Sequence, residues 1–218
     1  MLLTNIYSRF KSTHRLKPLS GLKILLPVIF IALSSCSQQA VKDPTAQSAQ
    51  GQKKNKKKYL TKVQREIYRE GITALYNNDF PVAERIFKEF ILNKPELAGA
   101  YSNLALMHFR KKEYDASLKL VNKAIQLNPR QSQAYNLRGQ LYIIDGKIHE
   151  AKNDYSEAIK LKPGYSNAQY NIALLYDIYL QEIELAIKHY EIYLSLLKKP
   201  DEATKEWINH LKGTLNNA

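Results

Sequence analysis

Residues 132–164 read SQAYNLRGQLYIIDGKIHEAKNDYSEAIKLKPG. Two amphipathic stretches flank a turn signal, Asp145-Gly146-Lys147, and Pro163 closes the segment. Outward from it the same features return. Pro95, Pro129 and Pro163 lie 34 apart, as do Gly71, Ala105, Gly139 and Ala173. Ala83, Ser117 and Ala151 keep that spacing, and Ala186 follows one residue late. So do Phe87, Val121 and Tyr155, with Tyr190 also one late. A fixed stride of this length marks an array of helix pairs.

The positions have physical meaning. A small side chain lets two helix backbones cross at about 8–10 Å. The aromatic and branched residues fill the seam to the neighbouring pair. Proline has no N–H and restricts the residue before it, so it ends the second helix. Asn77-Asn78-Asp79 and Lys111-Lys112-Glu113 mark turns equivalent to the one at Gly146.

The pattern resembles the tetratricopeptide repeat (TPR). In 132–164, Tyr135, Gly139, Tyr142, Ala151, Tyr155, Ala158 and Pro163 match its signature positions. The resemblance implies an all-α, right-handed α-solenoid of about four helix pairs over 62–200. In this frame the units are 64–97, 98–131, 132–165 and 166–200. The fourth carries one extra residue, expected in its turn at 179–182, and its proline is displaced to Pro200. A capping helix is expected over 201–215. Asp201 can N-cap it, and Ala203, Trp207, Leu211 and Leu215, with Ile208 beside them, would face the fourth unit.

The first helix of each unit (helix A) lines the concave side in that family. Its second, fifth, sixth and ninth residues fall here on Arg65, Tyr68, Arg69 and Ile72; Gly99, Ser102, Asn103 and Leu106; Gln133, Asn136, Leu137 and Gln140; Asn167, Tyr170, Asn171 and Leu174. Asn103 and Asn171 resemble groove asparagines that hold a peptide backbone, since an amide donates and accepts at once. Arg65 and Arg69 suit a carboxylate. The full basic clamp of chaperone-binding relatives is absent, which argues against a C-terminal carboxylate as ligand. A plain solvated surface is the competing reading of these residues.

Residues 1–35 hold a basic segment and the apolar run ILLPVIFIAL, 24–33, before the only cysteine, Cys36. This is the grammar of an export signal. About ten apolar residues span ~15 Å as helix, half the ~30 Å hydrocarbon of a bilayer. Leu33-Ser34-Ser35-Cys36 resembles the lipobox of bacterial lipoproteins. That implies lipidation of Cys36 and, with Ser37 following, the periplasmic face of the outer membrane. An ordinary cleaved signal or an uncleaved anchor are the alternatives. Residues 36–61 are rich in Gln, Ser and Lys and read as a flexible linker. Lys53, Lys54, Lys56, Lys57 and Lys58 either solvate it or touch an anionic surface.

The formal charge of +13 is uneven: +5 over 1–35, +6 over 36–63 and +2 over 64–218. The repeat region is nearly neutral, and no nucleic-acid partner is expected. One cysteine excludes a disulfide framework and a multi-thiolate zinc site. His14, His108, His149, His189 and His210 form no ligand pair, and there is no glycine-rich phosphate loop. Glu150, Asp154 and Glu157 have lysines nearby and read as a solvated face. Tyr101, Tyr135, Tyr142, Tyr155, Tyr176 and Tyr190 read as seam packing.

No catalytic residue, metal or cofactor is therefore expected. The leading reading is a non-enzymatic, outer-membrane-tethered adaptor that helps assemble an envelope complex. It resembles pilotin-type lipoproteins, scaffolds of cell-wall enzymes and companions of TonB-type systems. The alternative is a polyanion binder working through the lysine-rich arm on cell-wall polymer, lipopolysaccharide or nucleic acid.

Overall fold

Residues 60–216 are described by the structure, a computed structural model. Lipidation at Cys36, the signal at 1–35 and the lysine run at 53–58 lie outside the described residues. Among those described there are helices and turns and no strand. The order is α1 (Lys62–Tyr76), α2 (Phe80–Asn93), α3 (Ala98–Arg110), α4 (Tyr114–Leu127), α5 (Ser132–Ile144), α6 (Ile148–Leu161) and α7 (Ser166–Leu174). A π-helical turn (Leu175–Leu180) extends α7, followed by α8 (Ile183–Ser195) and α9 (Glu202–Asn216). These are four helix pairs and a terminal helix.

Thr61 starts α1 through a capping box. Its hydroxyl accepts from the Gln64 N–H at 3.1 Å, and its own N–H donates to Gln64 Oε1 at 3.0 Å. Leu60 packs against the cluster of Ile86, Phe90 and Ala100. The last two residues of the expected linker therefore belong to the first repeat. At each turn within a pair one residue is left-handed: Asn78 (φ 61°), Lys112 (φ 62°), Gly146 (φ 73°) and Gln181 (φ 57°). In the first three pairs the following N–H reaches five residues back: Asp79 to Ala74 at 2.8 Å, Glu113 to His108 at 2.9 Å, Lys147 to Tyr142 at 2.8 Å.

The fourth pair corrects the sequence expectation. Its extra residue is not in the turn but inside the first helix, absorbed as the π-helical turn. The Gln181 N–H bonds to the Tyr176 carbonyl, and Glu182 bonds to the same carbonyl at 2.9 Å. The widened turn keeps the left-handed residue and restarts α8 in step.

Within each pair the small residues sit where expected. A Cβ on Gly139 would lie 2.6 Å from Tyr155 Cε1, and one on Gly71 would lie 2.8 Å from Ile86 Cγ2. Leu75, Ile86, Phe87, Met107, Val121, Leu175 and Tyr190 are fully buried between the helices. Each contributes about 1.5–3 kcal/mol. Tyr155, Tyr176 and Tyr190 are buried as expected, whereas Tyr101, Tyr135 and Tyr142 are half-buried.

Both ends of the array differ from its middle. The third, seventh and tenth residues of helix A face the preceding pair: Ala100, Leu104 and Met107 in the second, Ala168, Ile172 and Leu175 in the fourth, all buried. In the first pair these are Glu66, Glu70 and Thr73, all exposed, so α1 presents a polar face outward. At the other end α9 covers the fourth pair. Its buried stripe is Thr204, Ile208 and Leu211, with Trp207 and Leu215 half-buried; Ala203, expected in the stripe, is exposed. Asp201 caps it, accepting from the Thr204 N–H at 3.1 Å. Asp177, on the π-helical turn, pins it from below. One carboxylate oxygen accepts from Trp207 Nε1 at 2.7 Å and from the Tyr190 hydroxyl at 3.1 Å.

Asp154 is a second correction. It is buried rather than solvated, and Arg138 grips it with two bonds of 2.7 and 2.8 Å. The guanidinium also donates to Asn122 Oδ1 at 2.9 Å and lies over the rings of Tyr135 and Tyr142 at 5.5 and 5.6 Å. The Asp154 hydrogen bonds raise the Arg138 pKa further, so the guanidinium stays charged. In the second pair the same two register positions hold Leu104 and Leu120.

Two outcomes follow from this packing. Asp154→Ala leaves the half-buried guanidinium without its counter-charge, held only by Asn122 and two tyrosine rings, and should cost about 3 kcal/mol in urea denaturation. Arg138→Leu with Asp154→Leu rewrites the third pair as the second is written and should fall within about 1 kcal/mol of the parent. A third outcome concerns His189, whose Nδ1 lies 2.7 Å from Gln169 Oε1 and whose ring stacks on Tyr176. Burial first, and the Lys188 charge second, hold its pKa below the ordinary value. The folded chain thus resists a proton that the unfolded chain accepts. Stability should be full above the ordinary imidazole pKa of about 6.5, decline as pH falls from there to the folded pKa, and level off below. Thermal melts of His189→Gln between about pH 7.5 and about pH 5.5 should show a smaller acid-side fall in Tm than the parent.

Candidate protein-binding groove

Successive A helices (α1, α3, α5 and α7) run in the same direction, because an antiparallel helix returns the chain between each two. Their second, fifth, sixth and ninth residues line one side of the array. The expected groove residues on it divide by exposure. Arg65, Arg69, Gln133 and Asn167 are exposed. Tyr68, Ser102, Asn103, Gln140 and Tyr170 are half-buried, while Asn136 and Asn171 are buried at 4% and 9% exposure.

Most of these side chains already have a protein partner. Asn103 Nδ2 donates to the Tyr68 hydroxyl at 2.9 Å, from second pair to first. Asn171 Nδ2 donates to Asn136 Oδ1 at 2.9 Å, from fourth pair to third. The same two register positions are joined both times. At the middle junction they are Ser102 and Leu137, and Ser102 bonds instead to Gln131 Oε1 at 2.8 Å. The asparagines expected to hold a peptide backbone are therefore rungs between repeats. Gln140 Nε2 reaches the Asn136 carbonyl at 3.4 Å. Arg65 donates to the Leu60 carbonyl at 2.8 Å, and Arg69 pairs with Glu66 at 2.7 Å, so the structure does not bring the two arginines together into a fork.

The aromatic members are equally placed by neighbours. Tyr68 meets Phe87 and Phe90 edge-on at 5.6 and 5.1 Å, and burial raises its pKa to about 12, opposed by the Asn103 bond. A Cβ on Gly99 would lie 2.6 Å from its hydroxyl, so the glycine makes room for the first rung. Tyr170 packs on Tyr190 and Tyr193 at 5.7 and 4.9 Å.

Sequence reasoning missed the thirteenth residue of helix A: Tyr76, Arg110, Ile144 and Ile178. These continue the stripe by one turn, with Tyr76, Ile144 and Ile178 at 65%, 49% and 42% exposure. The signal was present: bulky apolar residues recur at a register position that points away from both neighbours. Arg110 lies over the Tyr76 ring at 5.1 Å and donates to the Leu75 carbonyl at 2.7 Å. No groove position, the thirteenth included, is acidic, and three hold arginine.

Nothing in this region has the arrangement of an acid–base or nucleophilic centre. Among the described residues no group of three His, Cys, Asp or Glu side chains could hold a metal ion. No buried side-chain nitrogen or oxygen among them lacks a hydrogen-bond partner. No helix among them is long and apolar enough to cross a membrane.

Residues 68–132 and 132–165 match models of the tetratricopeptide repeat. Among curated proteins, the chain is 28% identical over 128 residues to the photosystem I assembly protein Ycf3 of Prochlorococcus marinus, covering 51% of this chain and 70% of that one. It is 36% identical over 72 residues to the DnaJ protein P58IPK homolog A of Oryza sativa, covering 33% of this chain and only 15% of the rice protein. The small glutamine-rich tetratricopeptide repeat-containing protein 2 of Saccharomyces cerevisiae is 30% identical over 93 residues, 43% of this chain and 27% of that protein. Among solved structures, MamA superposes with a TM-score of 0.52 at 26% identity, covering 61% of this chain and 77% of MamA. TTC0263, a TPR protein of Thermus thermophilus, gives 0.57 at 19% identity, covering 68% and 80%. The first TPR domain of Spaghetti (RPAP3), solved with an HSP90 peptide, gives 0.50 at 24%, covering 55% and 93%. With helix pairs of the same stride and the family models matching from 68 to 165, residues 68–165 carry tetratricopeptide repeats, and the described residues fold as an all-α solenoid of helix pairs.

Proposed function

We propose that this chain is a non-enzymatic adaptor that holds a protein partner against the A-helix face of its repeats. The observation that carries this is the composition of that face. Along it lie exposed arginines in the first unit (Arg65, Arg69), exposed amides in the third and fourth (Gln133, Asn167) and exposed large apolar side chains in three units (Tyr76, Ile144, Ile178), with no acid at any of these register positions. Such a mixture binds polypeptide: amides for the backbone, apolar groups for side chains. The names of similar proteins support it, since Ycf3 is an assembly protein and the Spaghetti domain was solved with a bound peptide.

The finer reading is that Cys36 is lipidated and that the adaptor works at the periplasmic face of a bacterial outer membrane. Its support is the lipobox-like Leu33-Ser34-Ser35-Cys36 after the apolar run. Two or three acyl chains would hold it there essentially permanently, at about 0.8 kcal/mol per buried CH₂. Assembly of a pilus or secretin, a TonB-type system or a cell-wall enzyme complex are the envelope processes such an adaptor serves.

Two measurements test the reading. Labelled palmitate should enter the parent and not Cys36→Ala. A photo-crosslinking residue at Gln133 or Asn167 should capture a discrete protein in membranes, and one at Lys119 on α4 should not. Capture that disappears only on deletion of residues 53–58 would instead favour the polyanion reading, and no capture from either groove position would end the adaptor reading.

A further inference from the structure

The two most exposed large apolar side chains among the described residues are Leu92 at 82% and Val63 at 67%. Val63 stands in the first turn of α1 and Leu92 in the last turn of α2. The two helices run antiparallel, so both residues belong to one end of the first pair. Neither joins the packed core of that pair. Later units do not repeat them. The register position of Leu92 holds Gln126, Lys160 and, one residue late, Ser195. That of Val63 holds Leu97, Gln131 and Tyr165, each half-buried in a junction between units. This end of the first pair is thus apolar where the rest of the array is polar or covered.

Charge gives the end a sign. Lys62 precedes Val63 and Lys94 follows Leu92 by two residues. The nearby acids are Glu96 in the junction, Glu89 one turn back on α2, and Glu66, which Arg69 pairs at 2.7 Å. The four loops that join successive units and the terminal helix hold five cations and two acids, whereas the four turns within units hold three cations and four acids. In the first pair the turn at the other end carries Asp79 and no cation. That end lies about 22 Å away along α1, against a Debye length of ~8 Å at physiological salt, so its acid is screened.

The path of the chain selects the occupant. The 59 residues before Leu60 reach the fold at this end, and they include the apolar run 24–33 and five lysines over 53–58. An extended chain covers at most ~3.6 Å per residue, so Lys56, Lys57 and Lys58 are held within about 15 Å of Leu60. Projecting apolar side chains set among cations suit the headgroup layer of an anionic bilayer. Nucleic-acid phosphates would use the cations and leave Leu92 and Val63 idle.

We propose that this end of the first pair docks on an anionic lipid bilayer, with Leu92 and Val63 in the headgroup layer and Lys62 and Lys94 toward lipid phosphates. The inference takes from the preceding reading only that the chain works at a membrane. It stands the first pair end-on to the surface, with the A-helix face open to the side.

The probe is a phosphatidylcholine vesicle, with or without phosphatidylglycerol, that carries a headgroup spin label. A fluorescent residue is placed in the full chain at Asn93, beside Leu92, or at Asn77, at the other end of the same pair; both sites are exposed. With phosphatidylglycerol present, quenching at Asn93 should exceed that at Asn77 at least about threefold, since the two stand ~20 Å apart along the helices. The ratio should fall to about one in Val63→Ser/Leu92→Ser, with far-UV spectra and melts like the parent. It should persist in Ile144→Ser, an apolar site at 49% exposure on α5. Equal quenching at the two positions, no association with either vesicle, an unchanged ratio in the double variant, or the same ratio on phosphatidylcholine alone each overturns the proposal. So does equally tight binding of duplex DNA that the double variant loses, which would give the end to nucleic acid. If labelled palmitate enters at Cys36 and Gln133 or Asn167 captures a protein while Asn93 and Asn77 quench alike, the adaptor reading stands and this inference alone falls.

Discussion

The solenoid depends on one steric constraint, the near-contact of two helices at the eighth residue of each unit. At Gly71 and Gly139 a single added methyl would meet a buried side chain below 3 Å. Phe87 and Tyr155 fill the seam at these crossings and are buried there. A larger residue at either glycine must displace the Ile86 or Tyr155 side chain that it meets. Overpacking of this kind is not locally repaired in an interior as dense as a crystal.

With the pairs fixed, the junctions between them are free to differ. Two are tied by side-chain rungs, Tyr68 to Asn103 and Asn136 to Asn171. The middle one has an apolar leucine at the equivalent place and carries its polar link elsewhere, through Arg138 to Asn122. Buried polar links of this sort add little net energy but penalise a slipped register, since slippage would strand a donor or a charge. They also remove groups from the pool that a ligand can use. The central part of the groove is more occupied by its own scaffold than its composition suggests, and the free apolar area lies one helical turn away.

The recurring features were legible because four copies average out local noise. Small residues, prolines and turn tripeptides each appear at one stride, and the helices fall where that stride puts them. Single-copy features were harder. The extra residue of the fourth unit could be counted but not placed, because a helix can widen by one residue as easily as a turn can lengthen. Asp177 was the missed clue: Leu75, Phe109 and Ile143 hold its register position elsewhere, and a carboxylate among them implies a donor, found thirty residues on at Trp207. Asp154 was misread for the same reason, since its partner sits on the other helix of the pair. Asn136 and Asn171 stand 35 apart, so their contact is implicit in the period, and their mutual bond uses the Asn171 amide that the resemblance assigns to a ligand.

The outward polarity of α1 also sets how the array comes apart. Stability in a stacked chain is close to a sum of units and the interfaces between neighbours. The first unit owns a single interface, because Glu66, Glu70 and Thr73 turn to water where later units meet a neighbour. The fourth is clasped on both sides. Fraying therefore favours the amino-terminal pair, and a pull transmitted along the preceding residues would arrive at the weakest joint first, peeling the solenoid rather than shearing it.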